Sequence, residues 1–198
     1  MVGPHGGRSG RAEDGRAQGT LGLSRNARRD RVTLGVGDGR YRGWIDVVAF
    51  DRRTGHLLVI EIKTTIDDVG AIERQIGWYE RLAATVAGDH GWRPRKVSSW
   101  LLVLASEQVD QALARQRDVF DAAFPVRSGA LRAMLTDGVG PGRGLAMIDP
   151  ARRRSDWLLP TRLDGRRTAA PYADSAAALR KLGLSPIVPM SRPVTRAG

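Results

Sequence analysis

The stretch that decides the fold runs from residue 40 to residue 64. It reads Arg-Tyr-Arg-Gly-Trp-Ile-Asp-Val-Val-Ala-Phe-Asp (40–51), then Arg-Arg-Thr-Gly (52–55), then His-Leu-Leu-Val-Ile-Glu-Ile-Lys-Thr (56–64). Two apolar runs flank a short segment of turn residues, which predicts a β-hairpin. Three charged residues, Asp46, Glu61 and Lys63, interrupt the apolar runs. Burying a charge costs several kcal/mol unless the charge is paired or binds a metal, so these residues are the first candidates for a functional site.

The symmetry of the hairpin predicts which of these residues face each other. If the turn centres between Arg53 and Thr54, Asp46 lies opposite Glu61, although a bulge at Gly55 would shift this register by one residue. Side chains alternate along a strand, so Glu61 and Lys63 share one face. Two opposed carboxylates repel each other unless a cation lies between them. Such a group of oxygen ligands suits Mg²⁺ or Mn²⁺.

A helix is predicted after the hairpin, from residue 67 to about residue 86. Asp67 or Asp68 is suitable as its N-cap. Gln75 and Tyr79 lie one turn apart, so both can point towards the same place. The apolar residues recur with the helical period and form one face, which consists of Ile72, Ile76, Tyr79, Leu82, Ala83 and Val86.

The remaining apolar runs complete an α/β pattern with a central mixed β-sheet flanked by helices. Residues 31–36 predict a first strand with a turn at 37–39, residues 98–106 a buried strand, and residues 107–124 a second helix. Residues 130–135 and 145–148 are interpreted as further strands, with the glycine-rich residues 138–144 as a plain connection. A short helix is predicted at 173–182. Of the five tryptophans, Trp44 and Trp92 are the candidates for exposure.

The motif Asp46, fourteen intervening residues, Glu61, one residue and Lys63 is followed by Gln75-Ile-Gly-Trp-Tyr79. Over about residues 31–125 this pattern resembles the PD-(D/E)XK nuclease superfamily, in particular its RecB-like branch. The resemblance implies a restriction-endonuclease-like core in which Asp46 and Glu61 hold Mg²⁺ or Mn²⁺. It also implies that Lys63 orients or activates the attacking water, and that Gln75 and Tyr79 are accessory catalytic groups. The implied function is metal-dependent hydrolysis of phosphodiester bonds, with DNA as the first candidate substrate.

The composition predicts a globular protein of the cytoplasm. The 198 residues are 41% hydrophobic and 27% charged, and they include no cysteine, which fits a reducing compartment. No apolar run approaches the ~20 residues that cross a membrane, and the N-terminus lacks the apolar core of a signal peptide. We therefore expect no membrane partner. The sequence leaves the oligomeric state open, a homodimer included.

The net charge of +11 is unevenly distributed along the chain. Basic residues number six against three acids in residues 1–30, sixteen against fifteen in 31–150, and ten against three in 151–198. We interpret 1–30 as a disordered segment, 31–150 as the nuclease-like domain and 151–198 as a basic, partly disordered tail. Basic tails attract nucleic acid, but a solvated arginine-rich composition explains them equally well.

Two classes of function remain open from the sequence. The first is the nuclease, which the complete set of two acids and a lysine favours. The second is a nuclease-fold module that binds nucleic acid or a protein partner without cutting, for example in a transcriptional regulator. The near-neutral central segment favours this second class. Taken one at a time, Glu61 and Lys63 also fit an ordinary ion pair on the solvated face of an edge strand.

Overall fold

The computed structural model describes residues 29–37, 42–137, 140, 142–152 and 156–185. In this part of the chain six strands form one mixed sheet whose spatial order follows the sequence. The strands are β1 (Arg29–Gly37), β2 (Arg42–Asp51), β3 (His56–Lys63), β4 (Lys96–Leu104), β5 (Gly142–Ile148) and β6 (Leu158–Leu159). The helices are α1 (Val69–Asp89), α2 (Glu107–Arg115), α3 (Arg117–Ala123), α4 (Ser128–Asp137) and α5 (Ser175–Lys181). The fold class is therefore α/β with a central mixed sheet, as predicted.

The sheet combines an antiparallel and a parallel half. β1, β2 and β3 form an antiparallel meander, whereas β4 pairs parallel to β3 and β5 parallel to β4. Parallel neighbours need a crossover connection. α1 supplies the crossover from β3 to β4, and α2, α3 and α4 lie between β4 and β5. The carboxyl end of β3, which carries Glu61 and Lys63, therefore leads directly towards α1.

Both faces of the sheet are buried. On one face Leu57 and Val59 of β3 pack with the apolar side of α1. On the other face Leu58 and Ile60 pack with Leu131 of α4 and with Trp157. Successive side chains of a strand point to opposite faces, so Glu61 lies on the same face as Leu57 and Val59, which is the face covered by α1.

The structure confirms several predicted elements. The first strand and the short helix near the C-terminus are β1 and α5, and the helix after the hairpin is α1. Asp68 is its N-cap, because its side chain accepts a hydrogen bond from the Ala71 amide at 3.0 Å. The predicted turn at 37–39 lies outside the described residues except for Gly37. Trp44 is 69% exposed, as predicted.

Three predictions of local structure are wrong. Residues 130–135 form part of α4, not a strand, because Leu131, Met134 and Leu135 lie on one side of a helix and pack against the sheet. The predicted helix over 107–124 is divided into α2 and α3 at Gln116, whose φ of −119° is not helical. Trp92 is only 3% exposed, because it stacks on Phe50 with 5.4 Å between the ring centroids.

The packed structure extends beyond the domain boundary predicted at residue 150. Trp157, Leu158, Tyr172 and Ala178 are all buried. Of the segments predicted to be disordered, residues 1–28 and 186–198 lie outside the described residues, whereas Arg29 and Asp30 begin β1. Among the described residues, no helix has the length and apolar character that a membrane crossing requires.

Candidate functional site

A β-bulge in β2 positions Asp46. The pairing of β1 with β2 shifts register between Val32 and Leu34, so that β2 has two residues, Asp46 and Val47, where β1 has only Thr33. An extra residue in one strand bends it locally and changes the direction of the side chains there. The register shift considered at Gly55 does not occur, because Asp51 pairs with His56, and Gly55 lies in the turn with φ of +67°.

The Asp46 carboxylate joins β2 to β3. The ladder between these strands runs from Asp51 and His56 to Val47 and Ile60, which is the predicted register and which leads to Asp46 opposite Glu61. The amide of Ile62 donates a hydrogen bond to Oδ2 of Asp46 at 2.8 Å. Ile62 lies two residues beyond the last paired residue of β3, Ile60, and its amide is bound by the Asp46 side chain instead of by a backbone carbonyl of β2. This hydrogen bond holds the Asp46 side chain next to the carboxyl end of β3.

Glu61 is the buried charge of the site. It is 3% exposed, and its Oε1 lies 2.5 Å from Nζ of Lys63, whose side chain is 30% exposed. Its other oxygen, Oε2, is buried and has no hydrogen-bond partner among the described residues. Burial raises the pKa of Glu61, the hydrogen bond from Lys63 lowers it, and the charge of Asp46 raises it again, with a net rise. A buried carboxylate oxygen without a partner is costly, so Oε2 is an acceptor that a cation or another donor would stabilise.

Gln75 and Tyr79 meet on α1 as predicted, and they connect α1 to β2. Nε2 of Gln75 donates to the hydroxyl of Tyr79 at 2.6 Å, and this hydroxyl donates to the carbonyl of Trp44 at 2.8 Å. Burial raises the pKa of Tyr79, the hydrogen bond from Gln75 lowers it, and the charges of Glu61 and Asp46 raise it further. All five predicted site residues therefore belong to one region of the molecule.

Asp46 and Glu61 suit a hard divalent cation. Mg²⁺ binds proteins through one or two carboxylates and completes its coordination with water and substrate phosphates. The described residues contain no group of three or more His, Cys, Asp or Glu side chains that would form a larger protein cage. A cation next to Oε2 of Glu61 would supply the missing partner and favour the ionised carboxylate. The donor set thus fits Mg²⁺ or Mn²⁺ with positions left for water and substrate.

Sequence reasoning missed the ion cluster that fastens α1 to the sheet. Nε and Nη2 of Arg143, on β5, donate to the two oxygens of Glu80 at 2.9 and 2.6 Å. Ser99 of β4 donates to the same carboxylate, and Glu73 lies 3.6 Å from Arg143. Burial would raise the pKa of Glu80, but the hydrogen bonds of Arg143 and Ser99 lower it. The available signal was Arg143 itself, the one charged residue in a glycine-rich segment that was interpreted as a plain connection.

The comparisons with known proteins give this chain no relative. No protein-family model matches it, and no curated protein or solved structure matches it at a significant level. The molecule is therefore characterised by its own geometry: an α/β fold with two acids and a lysine beside the carboxyl end of a central strand.

Proposed function

We propose that this protein is a metal-dependent nuclease that hydrolyses phosphodiester bonds, most readily in DNA. The observation that carries the proposal is the buried Glu61 carboxylate, which has one oxygen without a partner and lies across the hairpin from Asp46. A phosphodiester is itself an anion. Two carboxylates therefore favour its approach only when a cation is bound between them and the substrate.

The roles of the charged residues follow from their positions. Asp46 and Glu61 would hold Mg²⁺ or Mn²⁺, which when bound supplies Lewis-acid charge and lowers the pKa of a water ligand. Lys63 contacts Glu61 and remains partly exposed. Its ammonium group carries three donors, so beyond Glu61 it can orient a water molecule and offset charge on the phosphate.

The two residues of α1 divide into a positioning residue and a candidate contact. The Tyr79 ring is buried, and its hydroxyl already has both partners, so Tyr79 holds β2 and its Asp46 against α1. Gln75 is partly exposed. It uses one N–H on Tyr79, which leaves the second N–H and the amide oxygen to contact the substrate backbone.

The first test is cleavage of labelled single- and double-stranded DNA with Mg²⁺ or Mn²⁺. We expect Glu61→Gln and Asp46→Asn to abolish cleavage, because each removes a charged ligand without changing side-chain size. Lys63→Ala should lower the rate by roughly 10²- to 10⁴-fold, the range for loss of a group that assists proton transfer. The exposed Asp118, changed to Asn, is the matched control and should cleave like the wild type.

A second readout does not depend on activity. Mg²⁺ at tenfold its Kd should raise the free energy of unfolding of the wild type by about 1.4 kcal/mol. The same Mg²⁺ concentration should not change the free energy of unfolding of Glu61→Gln. Cleavage that persists in purified Asp46→Asn protein would refute the nuclease assignment. If no form cuts but all bind DNA in a salt-sensitive manner, the protein is a non-catalytic binding module.

A further inference from the structure

Five exposed cations lie at the other end of β3 from the candidate site. Arg52 and Arg53 lie in the turn between β2 and β3, and Arg93, Arg95 and Lys96 lie where the chain enters β4. We call these five residues the hairpin-end patch. The charge count along the chain does not reveal them, because residues 31–150 hold nearly equal numbers of basic and acidic residues.

Backbone contacts bring the two parts of the patch together. The carbonyl of Gly55 accepts hydrogen bonds from the amides of Arg95 at 2.7 Å and Lys96 at 3.3 Å. A Cβ atom at Gly55 would lie 3.0 Å from Cγ of Arg95, so the Arg95 side chain extends across the turn. The turn that carries Arg52 and Arg53 thus lies beside the start of β4, and the Arg95 side chain lies against that turn.

Three cations of the hairpin-end patch, Arg93, Arg95 and Lys96, have no carboxylate partner among the described residues. Arg53 lies beside the buried Asp51, whose carboxylate accepts a hydrogen bond from the Arg53 amide. Elsewhere six arginines form ion pairs with carboxylates, namely Arg74, Arg127, Arg143, Arg152, Arg162 and Arg166. Cations that this fold leaves without acids are available to an external anion.

We infer that the hairpin-end patch binds the phosphodiester backbone of a nucleic acid. Four of its five cations are arginines, whose planar guanidinium groups suit phosphate oxygens. Such contacts fix the position of a nucleic acid and supply affinity without reading its sequence. The patch shares its partner with the proposed nuclease, but the inference requires no cleavage.

The length of β3 relates the patch to the candidate site. Glu61 lies five positions along β3 from His56, which is beside the patch, and at ~3.3 Å per residue this amounts to about 17 Å. The patch and Glu61 therefore lie near opposite ends of a strand that is covered on both faces, so binding at the patch is tested separately from cleavage.

A membrane surface fits the patch less well. Surface-binding segments insert aromatic or aliphatic side chains beside their cations. The aromatic residues nearest in the chain, Phe50 and Trp92, are buried and stacked on each other. The exposed large apolar side chains of the described residues are Trp44, Val119 and Leu184, and none of them belongs to the patch.

The test is the salt dependence of binding to a labelled DNA duplex, measured by fluorescence anisotropy on the full chain with divalent ions chelated. The variant Arg93→Gln/Arg95→Gln/Lys96→Gln is compared with Arg115→Gln/Arg167→Gln/Arg180→Gln, which removes three exposed cations elsewhere. We expect the patch variant to bind at least tenfold more weakly at low salt. The plot of log K against log salt has a negative slope, and the magnitude of this slope should decrease by about 0.9 for each lost phosphate contact. The control variant should change much less in both respects.

Three results would overturn the inference. They are unchanged binding by the patch variant, an equal loss in both triple variants, and a loss of binding to anionic lipid vesicles while DNA binding stays intact. Thermal unfolding checks that each variant folds. If the triple variant does not fold, Arg93→Gln alone should lower the slope by about one unit. Glu61→Gln should bind DNA at least as tightly as wild type, because it changes the candidate metal site and not the patch. The binding test of the patch can therefore fail or succeed independently of the cleavage test of the nuclease proposal.

Discussion

At the scale of single residues, the environment of Glu61 determines how stability depends on pH. Burial raises the pKa of its carboxyl above the ordinary value of 4.5, Lys63 opposes the rise and Asp46 adds to it. Between about pH 4.5 and the raised pKa, the unfolded chain has therefore lost a proton that the folded protein still holds. The contribution of Glu61 to the free energy of unfolding consequently falls as the pH rises from that value through the raised pKa.

Glu61→Gln should remove this pH-dependent cost. Without divalent ions, the free energy of unfolding of the variant, relative to wild type, is expected to increase between about pH 4 and about pH 7. Urea unfolding of both proteins across this range measures the difference. The control Asp118→Asn makes the same chemical change at an exposed side chain. A constant difference between Glu61→Gln and wild type would show that the Glu61 pKa is not raised.

At the scale of elements, the close packing of α4 on β5 depends on Gly144. A Cβ atom there would overlap the side-chain methyl groups of Leu131, which is fully buried. Gly144→Ala should therefore lower the free energy of unfolding by about 1–3 kcal/mol, as overpacking of a core does. Gly129→Ala is the matched control on α4. It meets no atom within 4 Å and should stabilise the helix by roughly 0.5–1 kcal/mol. Equal effects of the two changes, measured by urea unfolding, would contradict this packing.

The elements also show which parts of the site the sequence could predict. The opposition of Asp46 and Glu61 follows from the hairpin alone, because a short turn fixes the register of both strands. The bulge at Asp46 arises in the pairing of β2 with β1, and neither this bulge nor the hydrogen bond from the Ile62 amide to Asp46 follows from the hairpin sequence. The α4 helix was mistaken for a strand because its apolar run is too short for periodicity alone to distinguish the two.

At the scale of the whole molecule, the segment from residue 156 to 185 is an integral part of the fold. Asp110 of α2 is fully buried and accepts hydrogen bonds from the amide and Nε of Arg162, at 2.9 and 3.1 Å, and from Arg166. Glu107 also pairs with Arg162, at 2.5 Å. The predicted basic tail therefore directs part of its charge inwards, which a count of charges along the sequence cannot reveal.

Removing residues 151–198 should destabilise the protein severely. It exposes the apolar surface beneath Trp157 and Leu158 and leaves the Asp110 charge buried without its arginines. Loss of one partner of a buried ion pair alone costs about 3–5 kcal/mol. Thermal unfolding followed by circular dichroism compares the shortened and full chains. An unchanged melting temperature would show that the segment adds nothing to the cooperative unit.

The hairpin places its turn at one end and its two carboxylates at the other. The fourteen residues between Asp46 and Glu61 are five cross-strand pairs and the four residues of the turn. Adding or deleting one cross-strand pair would change the number of intervening residues by two and leave the carboxylates opposite each other. The spacing between the two acids along the chain thus reflects only the length of the hairpin and has no chemical meaning of its own. Two proteins with the same pair of opposed acids could differ in that spacing. Their sequences should then be aligned by the positions that pair across the two strands.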